Sequence, residues 1–347
     1  MSTHEKYMRR CIQIASNALG SAMPNPMVGC VIVHNQCIIG EGYTSAYGGN
    51  HAEVNAINSV KDKLLLNKAT LYVTLEPCSH FGKTPPCSDL IIKHKIPNVV
   101  ISTIDTHSKV AGKGIKKLKD AGCQVTVGVL ENESQKHHRR FFTFHNKNRP
   151  YIILKWAQTS DGFIAPEKAL ERAPVWITNS YSRQLVHKWR AEEQAILVGN
   201  KTVIEDNPKL TIRDWSGTDP VRILIDLSNK TPEDSSILDK TIKTIVITSA
   251  NHKKQSSDIL LYETISSGNN VVHEICNILH KHEIQSVIIE GGSYTIQSFI
   301  DANLWDEARV FHGTNTFKKG VKAPILEVKP ISEEKIMTDT LKIYQND

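Results

Sequence analysis

His51, Glu53, Cys78 and Cys87 are the residues whose types and spacing best suit chemistry in this chain. A neutral imidazole and two thiolates suit zinc, and three protein ligands leave one tetrahedral position open to water. A dication there lowers the pKa of its water from about 16 toward about 7. Glu53 lies two residues beyond the histidine, so its carboxylate reaches the same pocket without binding the metal. A carboxylate so placed takes the water's proton and delivers it to a ring nitrogen or a leaving amine. Taken singly, each residue has a duller reading: His51 as a helix cap, either cysteine as core, Glu53 as a first-turn acid favoured by the helix dipole. The combination, with Pro77 and Pro86 preceding the two cysteines, favours the catalytic reading.

The set matches the H-x-E and P-C-x-x-C signature of zinc nucleobase deaminases except in one spacing. Cys78 and Cys87 enclose eight residues, Ser79 to Pro86, rather than two. Gly82 and the Pro85-Pro86 pair allow that loop to fold back compactly. A rival of another class is a structural zinc site closed by His80 as a fourth ligand, with no open position.

The elements that must position these residues follow from periodicity. Tyr7, Cys11, Ile14, Ala15, Ala18 and Leu19 recur at helical spacing, with Gly20 as the stop. Val28 to Val33 and Cys37 to Tyr43 read as a hairpin across His34-Asn35-Gln36. A helix is expected from His51 to Val60, a strand over Leu71 to Leu75, then helix, strand, helix and strand to Val129. This is a layered α/β domain. Polar Asn146 to Arg149, ending at Pro150, places the boundary, giving domains 1–146 and 150–347. The second half restarts with a strand at Tyr151 to Lys155 and a helix over Tyr181 to Ala191. Further strands are expected at 195–198, 221–225, 244–247 and 286–289, with helices at 271–280 and 295–302.

At 347 residues, two domains are the natural expectation. Apolar residues make up 40% and charged residues 22%, as in a globular protein, and no apolar run approaches the roughly 20 residues of a membrane span. The start lacks the order of a signal peptide, so a cytoplasmic location is expected. Seven scattered cysteines do not resemble a disulfide framework. The net charge of +6 includes the clusters Lys116-Lys117-Leu118-Lys119 and His137-His138-Arg139-Arg140, read as solvated helix faces rather than a nucleic-acid surface.

Pro24-Asn25-Pro26-Met27-Val28-Gly29, His51-Ala52-Glu53-Val54-Asn55-Ala56 and the run Thr74 to Cys87 resemble the bifunctional riboflavin-biosynthesis deaminase–reductase family, in which the longer cysteine spacing is the rule. Similarity continues through Val110 to Gly114, Lys155, Asp161-Gly162, Trp176-Ile177-Thr178, Thr202 to Thr211 and Glu290-Gly291-Gly292. The resemblance implies a cytidine-deaminase-like three-layer domain followed by a dihydrofolate-reductase-like α/β domain. It implies zinc-dependent hydrolysis of the 2-amino group of 2,5-diamino-6-(5-phosphoribosylamino)pyrimidin-4-one, then NADPH-dependent reduction of ribosyl to ribityl. A small phosphorylated pyrimidine is then the partner, with no nucleic acid and no membrane, and a homo-oligomer is expected.

By the same resemblance, Asn25, His80 and Lys83 contact the first substrate, and Arg190, Leu210, Arg213 and Glu290 the second. Ala157, Trp176, Thr202, Asp206 and the turn Gly292, Ser293, Tyr294, Thr295, Ile296, Gln297 and Ser298 fall at cofactor positions. Gly292 to Tyr294 are expected to precede a helix whose positive end holds a phosphate. From the residues alone this half is quieter: no G-x-G-x-x-G follows a strand, and Trp176 by itself reads as core. The chain departs from relatives at Thr44, where histidine is frequent, at Asp105-Thr106-His107, where an Asp-Pro-Asn segment is frequent, and at Leu227, where a relative has serine. The alternatives are a nucleoside or nucleic-acid base deaminase with an accessory binding domain, and a family member with one working half.

Overall fold

The computed structural model describes residues 2–81, 85–106, 111–167, 172–249, 255–266, 268 and 270–346. The chain divides into two compact units, Met1–Asn148 and Arg149–Asp347.

The first unit runs α1 (Thr3–Ala15), β1 (Gly29–His34), β2 (Cys37–Tyr43), α2 (Ala52–Ser59), β3 (Thr70–Leu75), α3 (Cys87–Lys93), β4 (Asn98–Thr103), α4 (Lys113–Asp120), β5 (Gln124–Val127), α5 (Glu131–His137) and α6 (Arg139–Lys147). Its sheet has the order β2-β1-β3-β4-β5. β1 is antiparallel to β2 and β3, while β3, β4 and β5 are parallel. Successive side chains of a strand face opposite ways, and the apolar residues divide accordingly. Val31, Val33, Tyr72 and Val100 pack on Tyr7, Met8, Cys11 and Ile14 of α1. Their neighbours Cys30, Ile32, Leu71, Val73, Val99 and Ile101 pack on Ala52, Ala56, Ile91 and Leu118 of α2, α3 and α4. Three layers result because both faces of the sheet are apolar.

Helix α1 starts at a capping box: Ser2 Oγ accepts from the Glu5 amide, and Glu5 Oε2 accepts from the Ser2 amide. Gly42 of β2 lets α2 approach closely, since a Cβ there would lie 2.3 Å from the Ala56 nitrogen and 2.5 Å from the Ala52 oxygen. The start of α2, which carries His51 and Glu53, is thereby pressed onto the sheet.

The second unit contains β6 (Tyr151–Gln158), β7 (Phe163–Pro166), α7 (Ser180–Glu192), β8 (Ala195–Gly199), α8 (Asn200–Asp206), β9 (Val221–Ile225), β10 (Thr244–Ser249), β11 (Leu260–Ile265), α9 (Val271–Lys281), β12 (Ser286–Ile289), α10 (Ser293–Asp301), β13 (Glu307–His312), β14 (Gly320–Lys322), β15 (Ser332–Ile336) and β16 (Asp339–Gln345). The sheet order is β11-β10-β9-β8-β12-β6-β13-β16-β15, and β7 pairs separately with β14. Pairing is parallel from β11 to β13 and antiparallel through β16 and β15. One face packs on Ile275, Leu279, Ile296 and Phe299 of α9 and α10, the other on Val186 and Trp189 of α7.

Two expectations fail on burial. His138 and Arg140 are buried, so the His137–Arg140 cluster is the junction of two packed helices and not a solvated face. Trp176 is 52% exposed rather than core, with the Arg183 guanidinium 4.6 Å from its ring centroid. Cys11, Cys30 and Cys276 are buried, as free cysteine commonly is, whereas Cys37 is exposed. No helix among the described residues is long and apolar enough to cross a membrane.

Candidate active sites

The first site stands where β3 ends and two helices begin. His51 is the N-cap residue of α2, and Glu53 lies in that helix's first turn. Cys78 follows β3, and Cys87 opens α3. The His51 Nδ1 atom lies 3.3 Å from Cys87 Sγ and 3.7 Å from Cys78 Sγ. All three donor atoms fall within 4.8 Å of one another, and they form the metal-ligand cluster found among the described residues. One imidazole and two thiol sulfurs are a zinc donor set, so the residues present fit that metal. His80 is exposed and stands outside the cluster, which leaves the closed structural site without its fourth ligand.

The electrostatics favour a negative charge at one sulfur and oppose further ones beside it. The Cys78 thiol is held down to about 4, chiefly by its contact with Cys87 and then by His51, against the opposing effect of burial. The Cys87 amide donates to Cys78 Sγ at 3.3 Å, adding a helix N-terminal donor to the sulfur. Cys87 itself is pushed up by the neighbouring Cys78 and by burial. Glu53 is buried, and desolvation followed by the charge at Cys78 raises its carboxyl to about 7.

Two residues that position Cys78 escape a reading of motifs. The buried Glu76 carboxylate accepts from the amides of Gly112, Gly114 and Ile115, so it caps α4. Gly114 fits against Pro77, where a Cβ would lie 2.1 Å from the carbonyl oxygen. The signal was an acid directly before a Pro-Cys pair, legible only once its helix is known. Asn25 lies half-buried in the loop before β1. Lys83 and His107 lie outside the described residues. Asp105 is buried, and Thr106 Oγ1 donates to Asn146 Oδ1 at 2.9 Å.

The second site centres on Glu290 at the end of β12. Arg190 Nη2 of α7 donates to Glu290 Oε2 at 2.7 Å, and Lys155 Nζ of β6 stands 3.6 Å from Glu290 Oε1. These two cations overcome burial and hold the Glu290 carboxyl at about 2, while burial lowers Lys155. Lys155 was not singled out as a site residue; its signal is a charge inside the apolar strand Tyr151 to Trp156. Glu290 Oε1 and Arg190 Nε are buried without a hydrogen-bond partner, a condition that calls for one. Arg190 Nη1 also donates to the Thr211 carbonyl, and the Arg213 amide donates to His187 Nδ1, so α7 holds the 211–213 segment. Arg213 is exposed. Leu210 is buried at φ 58°, a strained region for a non-glycine residue.

Of the cofactor candidates, Thr202 and the Gly292 turn meet where β8 and β12 end. Thr202 Oγ1 accepts from the Gly292 amide at 3.0 Å, joining α8 to the Gly291-Gly292 turn. Helix α10 begins at Ser293, earlier than expected, with Gly292 as its N-cap residue. Ser293, Tyr294 and Thr295 therefore sit in its first turn, where amides lack intrahelical partners. The Tyr294 ring is exposed, whereas Ile296 is buried in the core and offers its backbone alone. Gln297 bonds Asp301 and the Ile325 amide, and Ser298 Oγ donates to the Tyr294 carbonyl. Burial and the neighbouring Glu205 raise Asp206 to about 6. Ala157 lies in β6 in register with Phe311. Leu227 packs against the core, so it presents methyl groups where a relative has a hydroxyl.

The cytidine and deoxycytidylate deaminase zinc-binding region matches residues 1–103, and the RibD C-terminal domain matches residues 150–317. The riboflavin biosynthesis protein RibD of Aquifex aeolicus is 39% identical over 334 residues, covering 95% of this chain and 92% of its own. The chain belongs to the RibD family. RibD of Chlamydia pneumoniae is 40% identical over 299 residues, covering 83% of this chain and 78% of its own. A Thermotoga maritima RibD-type crystal structure, a diaminohydroxyphosphoribosylaminopyrimidine deaminase/5-amino-6-(5-phosphoribosylamino)uracil reductase, superposes with a TM-score of 0.90 at 36% identity, covering 99% of both chains. As a RibD-family protein, the chain is a bifunctional enzyme of riboflavin biosynthesis. It joins a cytidine-deaminase-like zinc-binding domain to a reductase domain of dihydrofolate-reductase-like fold.

Proposed function

We propose that the first unit removes the ring 2-amino group of 2,5-diamino-6-(5-phosphoribosylamino)pyrimidin-4-one by hydrolysis, and that the second reduces the ribosyl group of the product to ribityl with NADPH. The observation that carries the first step is the convergence of His51, Cys78 and Cys87 beside the buried Glu53. His51, Cys78 and Cys87 would hold zinc, which would supply a Lewis acid able to lower the pKa of water toward neutrality. Glu53, buried beside those donors, is assigned the proton transfer from water to the ring nitrogen or the departing amine. Oxygen bonds to the ring carbon, the carbon–nitrogen bond breaks, and ammonia leaves. Asn25, His80 and Lys83 are assigned to the substrate's ring and phosphate.

In the second unit, Glu290 Oε1, which faces Lys155 but makes no hydrogen bond, and Arg190 Nε, which also makes none, are assigned to substrate hydroxyl and phosphate. Exposed Arg213 and the strained Leu210 turn complete that wall. The first turn of α10, with Ala157, Trp176, Thr202 and Asp206, is assigned to NADPH; helix N-terminal amides suit its phosphates. NADPH supplies the hydride when bound. On the family resemblance, the chain is placed in the cytoplasm as a homo-oligomer whose partner is the phosphorylated pyrimidine and neither nucleic acid nor membrane.

The test is a two-step assay on the purified chain. Ammonia release from the pyrimidinone phosphate is followed first, then loss of nicotinamide absorbance. Ammonia released from cytidine or an oligonucleotide, with none from the pyrimidinone phosphate, overturns the substrate assignment. Nicotinamide oxidation by a Glu53→Gln chain supplied only with the undeaminated compound overturns the order of steps.

A further inference from the structure

The loop carrying Asn25 is tied down from two sides by side chains that belong to neither the metal cluster nor the second site. Strand β1 begins at Gly29, directly paired with Tyr43 at the end of β2. Its Gly29 amide also donates to Thr74 near the end of β3. The segments 24–28, 44–51 and 76–81 therefore leave one end of the same sheet, and His51 and Cys78 of the donor cluster lie on the latter two. Thr44 is buried at 3% exposure. Its hydroxyl donates to the Pro26 carbonyl at 2.9 Å and accepts from the Val28 amide at 3.0 Å, while its own amide donates to the Val28 carbonyl at 3.0 Å. Across the loop, His137 Nε2 at the end of α5 donates to the Met27 carbonyl at 3.1 Å. The backbone of three consecutive residues is thus held by two side chains from separate elements. The Asn25 amide donates to Ala22 at 2.9 Å, yet the Asn25 side chain makes no hydrogen bond with the described residues.

We infer that Thr44 and His137 are positioning residues of the deaminase site, clamping Pro26, Met27 and Val28 so that the uncommitted side chain of Asn25 is presented to the pyrimidine substrate. The inference rests on the reading of Asn25 as a substrate contact. Both hydroxyl functions of Thr44 are occupied within the protein, so it acts on the substrate through Asn25 and not by touching it. His137 is suited to a permanent donor role because burial keeps its ring neutral, with its pKa lowered to about 4. The clamp bears on where the substrate binds and leaves the metal donors and Glu53 in place. It therefore acts on substrate affinity more than on turnover.

The experiment compares Thr44→Val, Thr44→Ser, His137→Leu, Asn25→Ala and the double variant Asn25→Ala/Thr44→Val in the full-length chain. Deaminase KM and kcat, zinc content and reductase activity are measured for each. Thr44→Val keeps the shape and removes the hydroxyl with both of its hydrogen bonds, so deaminase KM rises about tenfold or more, the size expected when two buried hydrogen bonds are lost. Its kcat, zinc content and reductase rate stay at the wild-type level. Thr44→Ser restores KM, His137→Leu behaves as Thr44→Val does, and the double variant is no worse than Asn25→Ala alone. The inference is overturned if Asn25→Ala raises KM while Thr44→Val does not. It is equally overturned if serine fails to rescue, if the two changes are additive, or if Thr44→Val loses zinc. A silent Asn25→Ala removes the underlying assignment of Asn25 itself.

Discussion

The Cys87 amide donates to the sulfur of Cys78 at 3.3 Å, so the two candidate thiol ligands are linked through the backbone as well as by the proximity of their sulfurs. The first turn of α3 therefore contributes a backbone donor to the Cys78 sulfur. Replacing Cys87 with serine keeps the amide and removes the soft ligand. The expected result is loss of stoichiometric zinc and a fall in ammonia release of about a hundredfold or more. The reductase half, given the deaminated intermediate, keeps its rate. Metal analysis with both assays checks this, and full zinc retention by Cys87→Ser would remove Cys87 from the ligand set.

Glu53→Gln separates metal binding from proton transfer. The amide preserves volume in a buried position but cannot carry a proton. Zinc content is expected to stay at wild type while deaminase kcat falls by about 10² to 10⁴, the usual worth of a general acid–base group. Normal turnover in this variant would leave Glu53 without a chemical role.

Glu290 joins Arg190 and Lys155 in a buried set, so removing its charge strands two cations. Glu290→Ala is expected to destabilise the second unit by about 3–5 kcal/mol and to abolish reduction. Glu290→Gln, which keeps shape and one acceptor, is expected to fold better and still reduce poorly. Denaturant unfolding paired with nicotinamide oxidation measures both, and wild-type reduction by Glu290→Gln would show that the carboxylate is structural.

Acid sensitivity of the first unit follows from His138. Burial lowers its pKa from 6.5 to about 3, so the unfolded chain binds this proton at pH values where the folded chain does not. The associated stability is complete above about 6.5 and drains away as pH falls toward about 3. His138→Leu removes the titrating group. Whatever its absolute stability, its unfolding free energy should change less steeply between pH 6 and pH 4, by up to about 1.4 kcal/mol per pH unit. Parallel slopes for variant and wild type would mean that His138 is protonated in the fold.

Much of the fold was legible because each unit alternates strands buried on both faces with amphipathic helices. The apolar runs at Val28, Leu71, Val99, Tyr151, Val221 and Ser286 all became central strands. The packing of α5 and α6 was not legible, since His137 to Arg140 reads as a solvated helix face until the residues beneath it are known. Strand β13 was missed because Glu307 and Arg309 interrupt its apolar pattern; both are buried and paired with one another at 2.6 Å. The edge hairpin of β15 and β16 is mostly charged and carries no burial signal.

By itself the sequence singled out His51, Cys78 and Cys87 with the acid Glu53 beside them, and the fold brings the three donors together. Ligand chemistry restricts the residue types, and an H-x-E segment at a helix start allows few geometries. Tertiary structure alone decided the side-chain pairings within each unit: in the first, that Glu76 caps a helix 36 residues away and that Thr44 is spent on backbone bonds; in the second, that Lys155 meets Glu290 across β6 and β12. Such pairings depend on strand order and helix crossing, which bring together residues whose separation along the chain carries no information about their distance in space.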